Sequence, residues 1–251
     1  MPRDFSPYEL AQLHRHHIDP AIIAPSDERP VEYITGVVPF LKRELAVTPD
    51  TLIHRVETEE LARRIIAHYS EKKPTKLALA DVGTGCGAIG LSIAWELAQG
   101  GTMVTAWLSD VSEAAVRVAE KNAQIETTAN AKLHFLVSDL LTSFPPDQNF
   151  DLMIANLPYI PSERIAFLDS SVVDYEPHLA LDGGPEGLTL VHRFLEQAIP
   201  RLNPEGEIWL EVDYTHSVEE VAGQWLTAQL RGEMILDEYS RNRFIRLVKA
   251  A

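Results

Sequence analysis

From residue 77 onward the apolar positions fall into two alternating patterns. Short continuous apolar runs, "KLALADV", "MVTAWLSD", "LHFLVSD", "FDLMIAN" and "GEIWLEVD", read as buried strands. Between and after them, "AIGLSIAWELAQ", "SEAAVRVAEKNAQI", "GLTLVHRFLEQAIPRL" and "SVEEVAGQWLTAQL" repeat apolar residues at helical spacing. Ser112 stands where the second of these helices needs a cap. "GEMILDEYS" and "RFIRLVKA" read as a closing antiparallel pair, which makes seven strands. Strands this apolar, alternating with helices, predict an α/β fold with a mostly parallel sheet covered on both faces.

The first 50 residues are patterned differently. "SPYELAQLHRHH" predicts a helix, and "IDPAIIAPSDERP" is broken by prolines. "VEYITGVVPF" and "RELAV" alternate and read as a short β-hairpin. "ETEELARRIIAHYS" has helical spacing with acids in its first turn, where the helix dipole favours them. The expected division is a short helical and hairpin extension over 1–50 and an α/β domain over 51–251.

Parallel sheets bind ligands at the carboxyl ends of their strands, so the polar residues there carry the chemistry. The first strand runs into "DVGTGCGAIG", where Gly83, Gly85 and Gly87 let a ligand approach the backbone and open a helix N-terminus. The Lys-Ser/Thr pair of a nucleoside triphosphate loop is missing, because Gly87 is followed by Ala and Ile. The second strand ends in Asp110, 27 residues after Gly83, placed to accept from ribose hydroxyls or to sit at a helix start. The third ends in Asp139 and Leu140, an acid for an adenine amino group and an apolar side chain for its ring, or else a turn. A dinucleotide and S-adenosylmethionine both fit these three ends.

The fourth strand end, "ANLPYIP", separates them. Hydride transfer has no use for Asn-Leu-Pro-Tyr. A methyl acceptor whose nitrogen lone pair is delocalised does need acceptors for its N–H groups and a fixed orientation. Asn156 offers a side-chain carbonyl and Leu157 a backbone carbonyl. Pro158 restricts Leu157 to extended geometry, and Tyr159 offers a flat face. The competing reading of the tetrapeptide is a turn with an aromatic plug.

Composition narrows the partners. A net charge of −15, from 37 acids against 22 bases, lacks the basic face expected of a nucleic-acid binder and suits a basic protein partner. Nucleic acid is therefore not the expected substrate. A single cysteine, Cys86, excludes an internal disulfide. No apolar run reaches membrane-spanning length and "MPRDFSPYELAQ" lacks a secretory pattern, so the expected home is the cytoplasm.

Taken together, these segments resemble the HemK/PrmC-type methyltransferases, which methylate the glutamine of the Gly-Gly-Gln motif in peptide chain release factors. "NLPY" stands where that family has Asn-Pro-Pro-Tyr. "RPVEYITGVVPF", "LIHRVETEEL", "DVGTGCGAIG", "YEPHLALDGGPEGL" and "GEIWLEVDYTHSVEEV" resemble further family segments, so that the likeness spans roughly 29–249. The resemblance implies a Rossmann-like class I methyltransferase fold and S-adenosylmethionine as cofactor. It implies that Gly83, Thr84, Gly85, Cys86 and Gly87 line the cofactor's methionine end, that Asp110 holds the ribose, and that Asp139 and Leu140 flank the adenine. Asn156, Leu157 and Pro158 would bind the glutamine carboxamide, with Tyr159 beside it and Asn156 also bordering the cofactor. Arg55, Thr58 and Glu59 would close over the cofactor.

The chain departs from the family pattern in three places. Leu157 replaces the first proline of the pair, a variant that ribosomal RNA adenine dimethyltransferases share. His54 and Val56 replace two prolines, and the helical N-terminal domain is shortened. Other features predict no chemistry. "HRHH" at 14–17 has no acid or cysteine at ligand spacing, so no metal is expected. Cys86 has no histidine near it in sequence to activate it, and Glu176 is expected to fix a loop rather than to pair with Asp182 in acid-base work. The expected activity is methyl transfer to a release factor glutamine. An adenine-N6 methyltransferase of RNA or DNA and a non-catalytic cofactor-binding module are the alternatives.

Overall fold

The computed structural model describes residues 3–227 and 230–250. Helix α1 (Pro7–Arg15) starts at a reciprocal capping box between Ser6 and Glu9. The predicted strand at "VEYIT" is instead a helical turn, α2 (Val31–Thr35). Its Val, Ile and Tyr favour strands locally. However, Pro30 starts the turn, Gly36 ends it in the left-handed conformation, and the Tyr33 hydroxyl is buried on the Thr51 carbonyl at 2.8 Å. The hairpin follows as β1 (Val37–Phe40) and β2 (Arg43–Ala46), then α3 (Val56–Lys72).

The alternating region forms as expected. β3 (Lys76–Val82), α4 (Ala88–Gln99), β4 (Met103–Asp110), α5 (Glu113–Asn122), β5 (Ala131–Val137) and β6 (Phe150–Ala155) follow in order. Ser112 caps α5 by accepting from the Ala115 N–H. A loop with the short α6 (Ser170–Val173) leads to α7 (Thr189–Ala198) and β7 (Leu202–Glu211). The long helix expected from Ser217 is only α8 (Val218–Ala222), followed by a single 3-10 turn. Gly223 ends it; Trp225 closes that turn and Leu226 follows it, both partly buried against the core. Part of that expectation, residues 228–229, lies outside the described residues. β8 (Leu230–Leu236) and β9 (Asn242–Lys249) are the antiparallel pair.

The seven strands lie in the order β5-β4-β3-β6-β7-β9-β8. β5 through β7 are parallel, and β9 enters antiparallel to both of its neighbours. Neighbouring residues on a strand face opposite cores, as a sheet covered on both faces requires. Leu79, Leu152 and Ile154 pack into one core, while Ala80, Met153 and Ala155 pack into the other. Val38, Phe40 and Leu45 of the hairpin belong to the first core, beside Leu91 and Trp95 of α4. Among the described residues no helix is long and apolar enough to cross a membrane.

The sheet order reverses at β3 and β6, whose ends pair as Val82 with Ala155. That reversal leaves a crevice at the carboxyl ends of these two strands. The glycine loop and the Asn-Leu-Pro-Tyr segment are therefore brought side by side, although 73 positions separate Val82 from Ala155 in the chain.

Candidate active site at the sheet switch point

A cavity of about 470 Å³ opens at this crevice. Gly83, Thr84, Gly85, Cys86, Asp110, Asp139, Leu140, Asn156, Leu157 and Pro158 all line it. Gly87 does not; it caps α4 from just behind the wall, in the left-handed conformation. Tyr159 is absent from the wall as well, and neither Arg55 nor Glu59 reaches it.

The glycine loop is held from below by Asp81. One of its carboxylate oxygens accepts from the Thr84 hydroxyl at 2.6 Å and the Gly90 N–H at 2.9 Å. Burial pushes the Asp81 carboxyl up to about 6, against these two donors. At Gly85, φ is +55° and a Cβ would meet nothing within 4 Å, so the missing side chain leaves open space on the cavity wall. A ligand can lie directly on the backbone there. Burial pushes the Cys86 thiol up to about 12, and its carbonyl accepts from Asn122 at 2.8 Å, so Cys86 serves packing and not nucleophilic attack.

Asp110 accepts from the Gly85 and Ser112 N–H groups, each at 2.9 Å. Burial raises its pKa, and those donors hold it down in part. A carboxylate has lone pairs for about four donors, so two hydroxyls of a ribose can still be taken. Asp139 is paired with Arg193 of α7 at 2.7 Å on the open rim, and Leu140 is buried with φ at +53°. Arg193 and Leu190, three residues apart on α7, line the cavity too; a pattern of helical spacing alone could not place them there. The open backbone at Gly85, the carboxylate at Asp110 and the apolar Leu140 fit an adenosyl group with a charged amino-acid tail.

The tetrapeptide forms the neighbouring wall. Asn156 donates from its amide nitrogen to the Thr58 hydroxyl at 3.2 Å, and no described residue donates to its carbonyl oxygen. Leu157 is buried against the glycine loop, with Cδ2 at 2.9 Å from where a Gly83 Cβ would stand. The first proline of the related pattern is thus replaced by a side chain that ties the two loops together. The Tyr159 ring turns inward, and its hydroxyl donates to Glu211 at the end of β7 at 3.0 Å. Burial and the Glu211 charge push its pKa well above the ordinary tyrosine value. The glutamate was not singled out as a functional residue from the sequence, although its strand was.

Two further segments close the site. Arg55 donates to the buried Glu176 at 2.7 Å, which pins the loop ahead of Pro177, Leu179 and Ala180 onto the start of α3. The loop 182–187 lies against the tetrapeptide: Gly183 donates to the Ile160 carbonyl at 2.9 Å and Ser162 to the Gly184 carbonyl at 3.0 Å. Asp182 is exposed and braces Ser162 and Gly184. His54 also lines the cavity, with one ring nitrogen on the Pro39 carbonyl, and burial lowers its pKa to about 4. His16 lies near Glu44 instead of a metal cluster, and the described residues hold no group of three or more metal-ligating side chains.

Residues 60–168 match the family model of the methyltransferase small domain. The chain is 37% identical to a release factor glutamine methyltransferase of Lactococcus lactis, over 74% of this chain and 64% of that protein. It is 32% identical to one from Koribacter versatilis, over 86% of this chain and 75% of that protein. A third, from Chlamydia trachomatis, is 35% identical over 90% and 74%. In shape, the chain is similar to a T. thermophilus 16S rRNA methyltransferase solved with AdoMet and guanosine. That match has a TM-score of 0.58 at 16% identity and covers 86% of this chain and 50% of that one. A Pyrococcus furiosus methyltransferase matches with a TM-score of 0.53 at 14% identity, over 97% and 99%. These two likenesses concern the fold.

Proposed function

The chain belongs to the release factor glutamine methyltransferase family, and from that we propose that it methylates the side-chain nitrogen of the glutamine in the Gly-Gly-Gln motif of a peptide chain release factor. The observation that carries this reading is the Asn156 carbonyl, unpartnered at the rim of the cavity that fits the cofactor. S-adenosylmethionine, when bound, supplies an electrophilic methyl group on a sulfonium sulfur. Gly83, Thr84, Gly85, Cys86 and Asp110 would hold it, with Asp139 and Leu140 beside its adenine. Gly87 acts by setting the start of α4.

Asn156 and the Leu157 carbonyl accept from the two N–H groups of the carboxamide. This would orient the nitrogen and lower the cost of the charge that builds on it until one N–H proton leaves to solvent. Pro158 fixes the direction of the Leu157 carbonyl. Tyr159 serves the site from behind, through its hydroxyl. Residues 51–251 carry the chemistry, and 1–50 are an appendage whose hairpin is packed into the same core. The net charge of −15 favours a basic protein partner over nucleic acid, and a partner in translation places the enzyme in the cytoplasm.

Labelled cofactor offered to a release factor, to its Gly-Gly-Ala version and to ribosomal RNA tests the proposal. Label is expected on the first alone. Label confined to RNA removes the substrate assignment. Equal label on the Gly-Gly-Ala version removes the glutamine.

A further inference from the structure

We propose that Glu211 is a positioning residue for methyl transfer, setting through Thr58 which end of the Asn156 amide faces the substrate. This rests on the glutamine reading above. An amide has one accepting and one donating end, and a site that must accept from a carboxamide works only with its oxygen presented. Asn156 spends its N–H on the Thr58 hydroxyl at 3.2 Å. The Thr58 oxygen is then an acceptor, so its single proton must point elsewhere. Glu211 is the nearby acceptor: burial raises its pKa, and the Thr58 and Tyr159 hydroxyls and the Arg243 charge hold that rise back in part.

Glu211 is almost fully buried at the end of β7. Oε1 accepts from the Tyr159 hydroxyl at 3.0 Å, and Oε2 has no partner of good hydrogen-bond geometry. The groups facing it are Thr58 and Glu57 from α3, Tyr159 from the tetrapeptide, and Arg243 from β9; Asp213 lies on the Tyr159 side. An ionised carboxylate only accepts, so it fixes both hydroxyls as donors toward itself. That leaves Thr58 able only to accept from Asn156. A neutral group at 211 could donate to Thr58 and release that proton toward Asn156, turning the amide end for end. Oε2, buried and without a partner of good geometry among the described residues, offers the lone pairs that the Thr58 proton needs.

Release factor methylation by wild type is compared with Glu211→Gln, Thr58→Val and Thr58→Ser. Glu211→Gln and Thr58→Val are expected to lower kcat by ~10–100-fold, the size found when groups that orient metal ligands are removed. Cofactor Kd should hardly change. Thr58→Ser should restore activity close to wild type, because it keeps the hydroxyl. Wild-type kcat should fall on the acid side as Glu211 takes a proton, and Glu211→Gln should lack that limb. Wild-type kcat in Glu211→Gln, or equal losses in Thr58→Ser and Thr58→Val, overturns the proposal. The Asn156 side-chain amide resonance, followed in the same folded variants, gives a readout independent of substrate. If wild type does not methylate the release factor, the substrate assignment falls. The resonance then decides the network alone: an unchanged Asn156 signal in both Glu211→Gln and Thr58→Val refutes it, and a shifted one supports it.

Discussion

Asn156 shows how little of a residue's role lies in its identity. Its place at the end of a buried strand marked it in the sequence, and the structure puts it on the cavity wall. The partners that orient it could not be read that way. Thr58 lies 98 positions earlier, and Glu211 ends a strand whose resemblance to the family gives that residue no role. Tyr159 stands out in the sequence for its ring, and the structure turns that ring inward and gives its hydroxyl to Glu211, because a ring and a hydroxyl offer two uses. At this scale, Asn156→Ala is expected to cut kcat/KM by ~10²–10³-fold, as loss of one hydrogen-bonding group at a reacting centre does. Cofactor binding measured by calorimetry should survive. Full turnover in that variant removes the proposed mechanism.

Among elements, the helices and strands from 76 to 155 were legible because pattern, caps and length agreed; α4 spans the residues that its periodicity marked. Agreement failed where one residue type pointed two ways. Val, Ile and Tyr in "VEYIT" favour strand, yet Pro30 and Gly36 bound a helical turn. The 182–187 loop was legible only as a motif, since its glycines serve a contact with a distant segment. A Cβ on Gly187, at φ +76°, would stand 2.2 Å from the Tyr159 carbonyl oxygen, and neither backbone can yield cheaply. Gly187→Ala is expected to cost about 1–3 kcal/mol through overpacking and strain. It should slow methylation more than it weakens cofactor binding. Urea denaturation with parallel turnover checks both; unchanged stability and rate would show that the loop does not brace the tetrapeptide.

Across the whole molecule, the ion cluster at Glu207 ties α3 to the sheet. Its carboxylate is buried among Lys72, His68, Arg246 and the Trp209 N–H. Burial opposes its charge, but these partners outweigh burial and hold the pKa down at about 2, against 4.5 unperturbed. The folded state therefore binds this proton later than the unfolded chain. Stability from the group is complete above pH 4.5 and is lost as pH falls through about 2. Asp81 slopes the other way, since its raised pKa makes stability fall as pH rises from 3.8 to about 6. Comparing urea midpoints of wild type and Glu207→Gln from pH 7 to pH 3 isolates the first effect. The gap should be on the order of 2–3 kcal/mol at neutral pH and narrow with acid. A constant gap rules out this linkage.

The placement of β9 has a consequence for synthesis. It follows β8 in the chain, yet it lies inside the sheet, between β7 and β8, with Phe244 paired beside Glu211. A nascent chain emerging from its ribosome can complete the β3–β6 crevice, glycine loop and tetrapeptide included, while β7 still has an open edge. The Glu211 end of the site gains its second wall only when residues 242–249 arrive. The two sides of the crevice therefore become complete at different moments of synthesis, the Glu211 side only after β9 has been made.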